Sequence, residues 1–190
     1  MSSSNLIRWA GLAAVVAGVL FIIVDLLSLF VFGFGQGFTE AIISSGLLLF
    51  RSTLTPLAGA LILLGLVGLY ARQSEITGIP GLVSFLVAFV CTVLAQGSIL
   101  ADLLANLGWA LFGVSCLQAR IYPRLASTLL IFGAVSTAVA SSFPRSEPGG
   151  VLMYAVIGAD IILNAAIVWL GYDLFENKRR RHTPGSLVRR

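Results

Sequence analysis

Two acidic residues lie within long apolar stretches of this chain, and they are the first candidates for chemistry. Asp25 interrupts the apolar run over residues 7–32, and Asp160 lies near the middle of another run over 150–175. A charged carboxylate in hydrocarbon is costly, so such a group usually faces the protein interior, pairs, or takes up a proton. Asp25 and Asp160 are therefore predicted to bind a ligand or a proton. The alternative is that each acid only joins helices through hydrogen bonds.

Three further polar residues extend this candidate site. Asn164 follows Asp160 by one helical turn and shares its face, and Asp102 and Asn106 have the same spacing on another predicted helix. Asp25, Asp160, Asp102 and Asn106 fall in the outer half of the predicted bundle, and Asn164 lies one turn deeper than Asp160. This concentration of polar groups indicates a cavity that opens outward. Asp25 and Asp160 are expected to point into one common interior space. For Asp102, a position at the interface or at a helix cap is the simpler interpretation.

The residue patterns of familiar membrane enzymes are missing from the sequence. It contains no HExxH, no GxSxG and no glycine loop with a phosphate-binding lysine, and its one histidine, His182, lies near the C-terminus. Cys91 and Cys116 lie in separate apolar runs without a CxxC motif, and their predicted depths exclude a disulfide between them. No catalytic residue, metal site or cofactor is predicted.

Composition indicates that lipid is the solvent. Of the 190 residues, 58% are hydrophobic and only 11% are charged, whereas a soluble domain usually carries about 25% charged residues. Nucleic acid is a poor partner for such a chain despite its net charge of +4, because most of the surface must be apolar. The predicted fold class is an all-α, polytopic membrane helical bundle.

Six apolar segments are long enough to be transmembrane helices. One transmembrane domain is predicted over 1–176, followed by a basic tail over 177–190. Residues 38–50 are too few to span a bilayer, and a short interfacial or re-entrant helix is predicted there. Ala10, Ala14 and Gly18 form a small-residue stripe for close helix packing. The predicted spans are about 7–32, 54–72, 80–97, 102–118, 125–143 and 150–175.

The distribution of cations predicts orientation. With six spans, one side of the membrane holds Arg8, Arg72, Arg120, Arg124 and the tail, and the other holds only Arg51 and Arg145. Cytoplasmic segments are rich in Lys and Arg, so both termini are predicted to be cytoplasmic. The block formed by Lys178, Arg179, Arg180 and Arg181 is either this topology signal or a clamp for anionic lipid headgroups.

The run LLGLVGLYARQSE, followed by a short turn and another apolar helix, resembles small multi-span proteins of bacterial inner membranes. The resemblance implies an inner-membrane location and brings no activity with it. The sequence favours a non-enzymatic membrane protein that interacts with partners or binds a small ligand. The alternative is a small transporter or channel that uses Asp25 and Asp160, and an intramembrane enzyme is third. Expected partners are the lipid bilayer and a second copy or another membrane protein.

Overall fold

The computed structural model describes residues 3–33, 47–95, 99–143 and 151–181, and these residues form five helices without any strand. The chain turns sharply after Ala119, because Arg120 takes a left-handed φ of 52° and Pro123 stands immediately before the helix that begins at Arg124. An all-α fold is thus confirmed for the described residues. The helices are α1 (Ser3–Gly33), α2 (Leu47–Leu94), α3 (Ile99–Ala119), α4 (Arg124–Ser141) and α5 (Val151–Arg181).

All five helices are long and apolar enough to cross a membrane, as judged by length and composition. The described residues thus form five such helices rather than six separate ones. The predicted spans 54–72 and 80–97 fall on the single long α2. The reason is that the polar segment between these two predicted spans is helical on both sides of one residue, Gly78.

The predicted short helix over 38–50 is not present as a separate element in the part of the chain that the structure describes. Residues 38–46 lie outside the described ranges, and 47–50 form the first turn of α2. Residues 96–98, between the end of α2 and the start of α3, also lie outside them.

Helix α2 folds back on itself at Gly78. This residue has φ of 55° and ψ of −140°, a backbone conformation that is strongly unfavourable for any residue other than glycine. The rings of Tyr70 and Phe85 stack with their centroids 4.5 Å apart, whereas a straight helix would separate these positions by about 22 Å. The two arms, α2a (47–77) and α2b (79–94), therefore lie side by side. Pro80 is tolerated because it begins the second arm.

The helices pack in a closed ring. Helix α1 contacts α2 and α5, α3 contacts α2 and α4, and α4 contacts α5. Neighbouring helices run antiparallel: Gly11 of α1 lies against Gly171 of α5, and Gly18, further along α1, lies against the earlier residue Asn164. The first and last of the five described helices are thus direct neighbours.

The crossing of α1 and α5 leaves no space for side chains. A Cβ atom on Gly11 would lie 2.8 Å from the carbonyl oxygen of Gly171, and a Cβ atom on Gly171 would lie 2.8 Å from that of Gly11. The predicted small-residue stripe also faces α2a, where Ala14 meets Gly65. In lipid, where apolar burial does not drive helices together, such close backbone approach is a main source of association.

Apolar side chains fill the bundle and also cover its outer surface. Leu64, Val83 and Phe132 each expose more than half of their surface and point away from the ring. A soluble protein would bury most residues of this kind, so the outer surface suits hydrocarbon. The large apolar side chains that are almost completely buried are Leu66, Leu69, Phe112, Leu130, Ile167 and Leu170.

The two cysteines are free, as predicted. Cys91 on α2b is half-buried, and Cys116 on α3 is buried. Because α2b and α3 run antiparallel, Ser84 rather than Cys91 lies beside the turn that holds Cys116, through its hydrogen bond to Ser115.

We expect Gly78→Ala to destabilise the protein by about 1–3 kcal/mol, because alanine must be forced into a backbone conformation that only glycine adopts readily. The measurement is the free energy of unfolding in detergent by titration with SDS. Gly158→Ala is the matched control, since Gly158 lies within α5 and a Cβ atom there meets nothing within 4 Å. Equal effects of the two substitutions would show that the bend does not depend on Gly78.

Candidate functional site

Asp25 and Asp160 lie at the same end of the bundle. Asp25 belongs to the C-terminal half of α1 and Asp160 to the N-terminal half of α5, and these two helices are antiparallel neighbours. Both acids are half-buried. We name this the acid end. The opposite end, where Arg8 and Arg72 lie, is the arginine end.

A hydrogen bond across the α1–α5 contact reaches Asp25. The Asn164 amide Nδ2 donates to Asp25 Oδ2 at 3.4 Å, near the upper limit for such a bond. Gly18 makes this approach possible, because a Cβ atom there would lie 2.9 Å from the Asn164 carbonyl oxygen. Helical side chains lean toward the N-terminus of their helix, which directs Asn164 toward the acid end. Asn164 is buried, so its amide is held in place.

A second hydrogen bond, from α4, reaches Asp160. The Thr137 hydroxyl Oγ1 donates to Asp160 Oδ1 at 3.0 Å, and Thr137 is buried. One turn away, the backbone of Gly133 lies so close to Leu163 that a Cβ atom would come within 2.6 Å of the Leu163 nitrogen. This close contact brings the two helices near enough for a short threonine side chain to bridge them.

The four residues Asp25, Thr137, Asp160 and Asn164 form what we call the acid cluster. Asp160 and Asn164 stand one turn apart on α5 and bond to α4 and α1 respectively. Neither acid is restricted to bonds within its own helix. The cluster therefore joins three neighbouring helices through two carboxyl groups and two neutral donors.

The structure does not bring Asp102 and Asn106 into the acid cluster. Asn106 Nδ2 donates to the backbone carbonyl oxygen of Asp102 at 3.0 Å, which is a bond within α3. Helix α3 packs against α2 and α4 and not against α1 or α5. The face that carries Asn106 is used for packing, because Trp109 one turn on donates to Thr92 of α2b at 3.1 Å.

The four tail cations predicted to contact lipid headgroups are Lys178, Arg179, Arg180 and Arg181. The backbone of α5 remains helical through Arg181. Their side chains lie outside the described residues, so headgroup contact stays a prediction.

A second polar cluster occupies the arginine end. Arg72 of α2a pairs with Asp173 of α5 at 3.0 Å, and its guanidinium lies 4.9 Å from the centre of the Tyr122 ring. The Tyr122 hydroxyl donates to the Leu69 carbonyl oxygen at 2.9 Å. We name Arg72, Tyr122 and Asp173 the latch. It connects α2a to α5 and to the short connection between α3 and α4.

Burial determines the state of Tyr122. This residue lies in the α3–α4 connection and is almost fully buried. Burial, more than any neighbouring charge, raises the pKa of its phenol well above the ordinary value. Tyr122 therefore stays protonated and remains a donor to Leu69 over the physiological pH range.

A buried amide lies beside the latch. Gln73, which follows Arg72, is completely buried, and its Oε1 accepts a hydrogen bond from Cys116 Sγ at 3.2 Å. Its Nε2 has no hydrogen-bond partner among the described residues. Buried polar groups are nearly always paired, so an unpaired donor marks a costly arrangement that calls for an explanation.

Comparison with protein-family models, with curated proteins and with solved structures found no match. The features that bear on function are therefore the acid cluster at one end of the bundle and the latch at the other. In the part of the chain that the structure describes, no group of three or more His, Cys, Asp or Glu side chains could hold a metal ion.

We expect Asn164→Ala to destabilise the protein by about 0.5–2 kcal/mol, because a hydrogen bond between helices in a membrane contributes roughly this much. Thr137→Val should have a similar effect through Asp160. The control is Ser28→Ala, since the Ser28 hydroxyl donates only to the Val24 carbonyl of its own helix. The free energy of unfolding in detergent is the measurement. A cost at Ser28 that equals the other two would contradict a special role for bonds between helices.

Proposed function

We propose that this chain is a non-enzymatic, multi-pass membrane protein that binds a small ligand, a proton, at the acid cluster. The observation that carries the proposal is the pair of hydrogen bonds by which Asn164 and Thr137 reach Asp25 and Asp160 from other helices. Each carboxyl group is thereby held by a neutral donor from a neighbouring helix inside an apolar bundle.

The chemistry of the two donors favours a proton as the ligand. An amide and a hydroxyl are neutral, so they orient a carboxyl group without cancelling its negative charge. A charged carboxylate within hydrocarbon is costly, and a bound proton removes that cost.

The proposed topology has six crossings with both termini in the cytoplasm of a bacterial cell. The bend at Gly78 supports six crossings, because α2a and α2b lie side by side and each is a candidate for one passage. The cations support the orientation. Arg8 and Arg72 both contact α5 residues, Phe175 and Asp173, near the end of the helix that leads into the basic tail.

A transporter is the second candidate function, and the latch favours it. Transport by alternating access needs a binding site that one closed end separates from one side of the membrane. In this bundle the acid cluster lies at one end, and the ion pair of Arg72 with Asp173 joins helices at the other. The tight α1–α5 crossing at Gly11 and Gly171 argues against an open pore between those helices.

Infrared spectroscopy of the purified protein in liposomes tests proton binding. We expect the absorption of a protonated carboxyl group near neutral pH, and we expect Asp25→Asn or Asp160→Asn to remove or shift it. The double variant should show a non-additive effect, because the two acids act on one cluster. Glu75→Gln removes an exposed acid near the bend and is the control. Absence of a protonated carboxyl in the parent protein would refute the proposal.

Reporter insertions test the topology. Insertions after Glu75 and after Gly97 should report opposite sides of the membrane, because α2b lies between them and is proposed to cross it. Fusions at Arg145 and at Arg190 should likewise report opposite sides, with Arg190 in the cytoplasm. If both insertions of the first pair report the same side, α2 crosses the membrane only once and the total is five crossings. If both fusions of the second pair report the same side, the proposed topology has one crossing too many near α5.

A further inference from the structure

We propose that the latch is a gate, which opens the arginine end of the bundle when α2b and α3 swing together about Gly78. The gate gives the proposed proton site access to the second side of the membrane, and in that purpose it rests on the proposed function. Its opening is a separate physical event and has its own test.

The latch holds three parts of the ring together at one point. Arg72 on α2a bonds to Asp173 on α5, and both side chains are largely shielded from solvent. The guanidinium also lies over the ring of Tyr122, and the Tyr122 hydroxyl bonds back to α2a at Leu69. The proposed swing displaces the α3–α4 connection and breaks the Tyr122 contacts, and the ion pair with Asp173 holds the Arg72 guanidinium in place against the Tyr122 ring.

Helices α2b and α3 are built to move as one unit. Ala88 packs against Gly108 so closely that a Cβ atom on the glycine would lie 2.6 Å from the Ala88 Cα atom. Two side-chain hydrogen bonds add to this contact: Ser84 with Ser115 at 2.9 Å, and Trp109 to Thr92 at 3.1 Å. Tyr122 lies in the short connection that begins after Ala119, the last residue of α3, so motion of this pair carries Tyr122 away from α2a.

Gly78 is a suitable hinge for that motion. It is the one residue with non-helical φ and ψ angles inside α2, and apart from its own stretch of chain nothing among the described residues lies within 4 Å of the position where its Cβ would be. Hinges are commonly a few residues that absorb a change in φ and ψ while the flanking helices stay rigid.

The unpaired amide of Gln73 opposes the closed state. Gln73 is fully buried, and its Nε2 donor has no partner among the described residues. Opening of the gate would let water reach this donor and relieve the cost of leaving it unpaired. The closed state is thus stabilised by the latch and destabilised by Gln73, which is the balance that a two-state element needs.

The native thiol of Cys116 reports on the gate. It is buried and bonded to Gln73, so it reacts with a water-soluble maleimide only when this region opens. In a Cys91→Ala background Cys116 is the only thiol of the chain. We expect Arg72→Gln and Asp173→Asn to raise its labelling rate in detergent about two- to fivefold, the range for a partly shielded ion pair.

Gln73→Leu should have the opposite effect and slow the labelling below the parent rate, because it removes the group that favours opening. A residue that only fills space would accelerate labelling when replaced, as the latch variants do. Glu75→Gln, an exposed acid at the same end, should leave the rate unchanged. Labelling is done well below the unfolding temperature of each variant, so that global unfolding does not contribute.

If Arg72→Gln or Asp173→Asn does not fold, Tyr122→Phe is used instead. It removes only the hydroxyl that bonds to Leu69, and it should also raise the labelling rate of Cys116. Unchanged labelling in the folded latch variants overturns the gate, and so does faster labelling in Gln73→Leu. Asp25→Asn should not alter Cys116 labelling. The labelling rate of Cys116 therefore tests the gate, and the infrared absorption of the carboxyl groups separately tests the proton site.

Discussion

The contact between α1 and α5 is the constraint on which the rest of the structure depends. At Gly11 and Gly171 the two backbones touch directly, and Gly18 extends the close approach toward the acid end. In a lipid solvent, helices gain little from burying apolar surface against one another, so such contacts and hydrogen bonds between helices must hold the bundle. Without this contact the ring stays open, and Asn164 cannot reach Asp25.

The antiparallel order then divides the polar groups between two ends with different characters. At the acid end, neutral donors hold carboxyl groups inside the bundle. At the arginine end, opposite charges pair, and an aromatic ring packs on the cation. Both clusters include α5, which makes the last helix the physical connection between them. A change in the position of α5 therefore alters the contacts of both clusters.

The sequence predicted the helical membrane class and part of the site for identifiable reasons. Charged residues are rare in apolar runs, so Asp25 and Asp160 could be identified as candidate site residues from the sequence alone. Helical periodicity then placed Asn164 on the same face as Asp160. The same spacing misleads at Asp102 and Asn106, because the Asn106 amide bonds to its own helix. Identical spacings had different outcomes, since only the neighbouring helix decides which bond forms.

Other features depend on tertiary contacts that periodicity does not contain. Thr137 resembles Thr128, whose hydroxyl bonds to the Arg124 carbonyl of its own helix, and only the close approach of α4 to α5 distinguishes the two. The segment before Gly78 is polar enough to suggest a turn, yet its residues tolerate a helix, so the chain bends at one glycine. The latch joins residues from three parts of the chain that no local pattern relates.

The partnership of the first and last helices has a consequence for biosynthesis. Asp25 and the Asn164 amide that bonds to it are 139 residues apart in the chain. During translation α1 enters the membrane long before α5 is made, so Asp25 must wait in the bilayer without that donor. A ribosome that stops before α5 is made leaves a chain whose ring is open and whose Asp25 lacks the bond that joins the two ends of the chain.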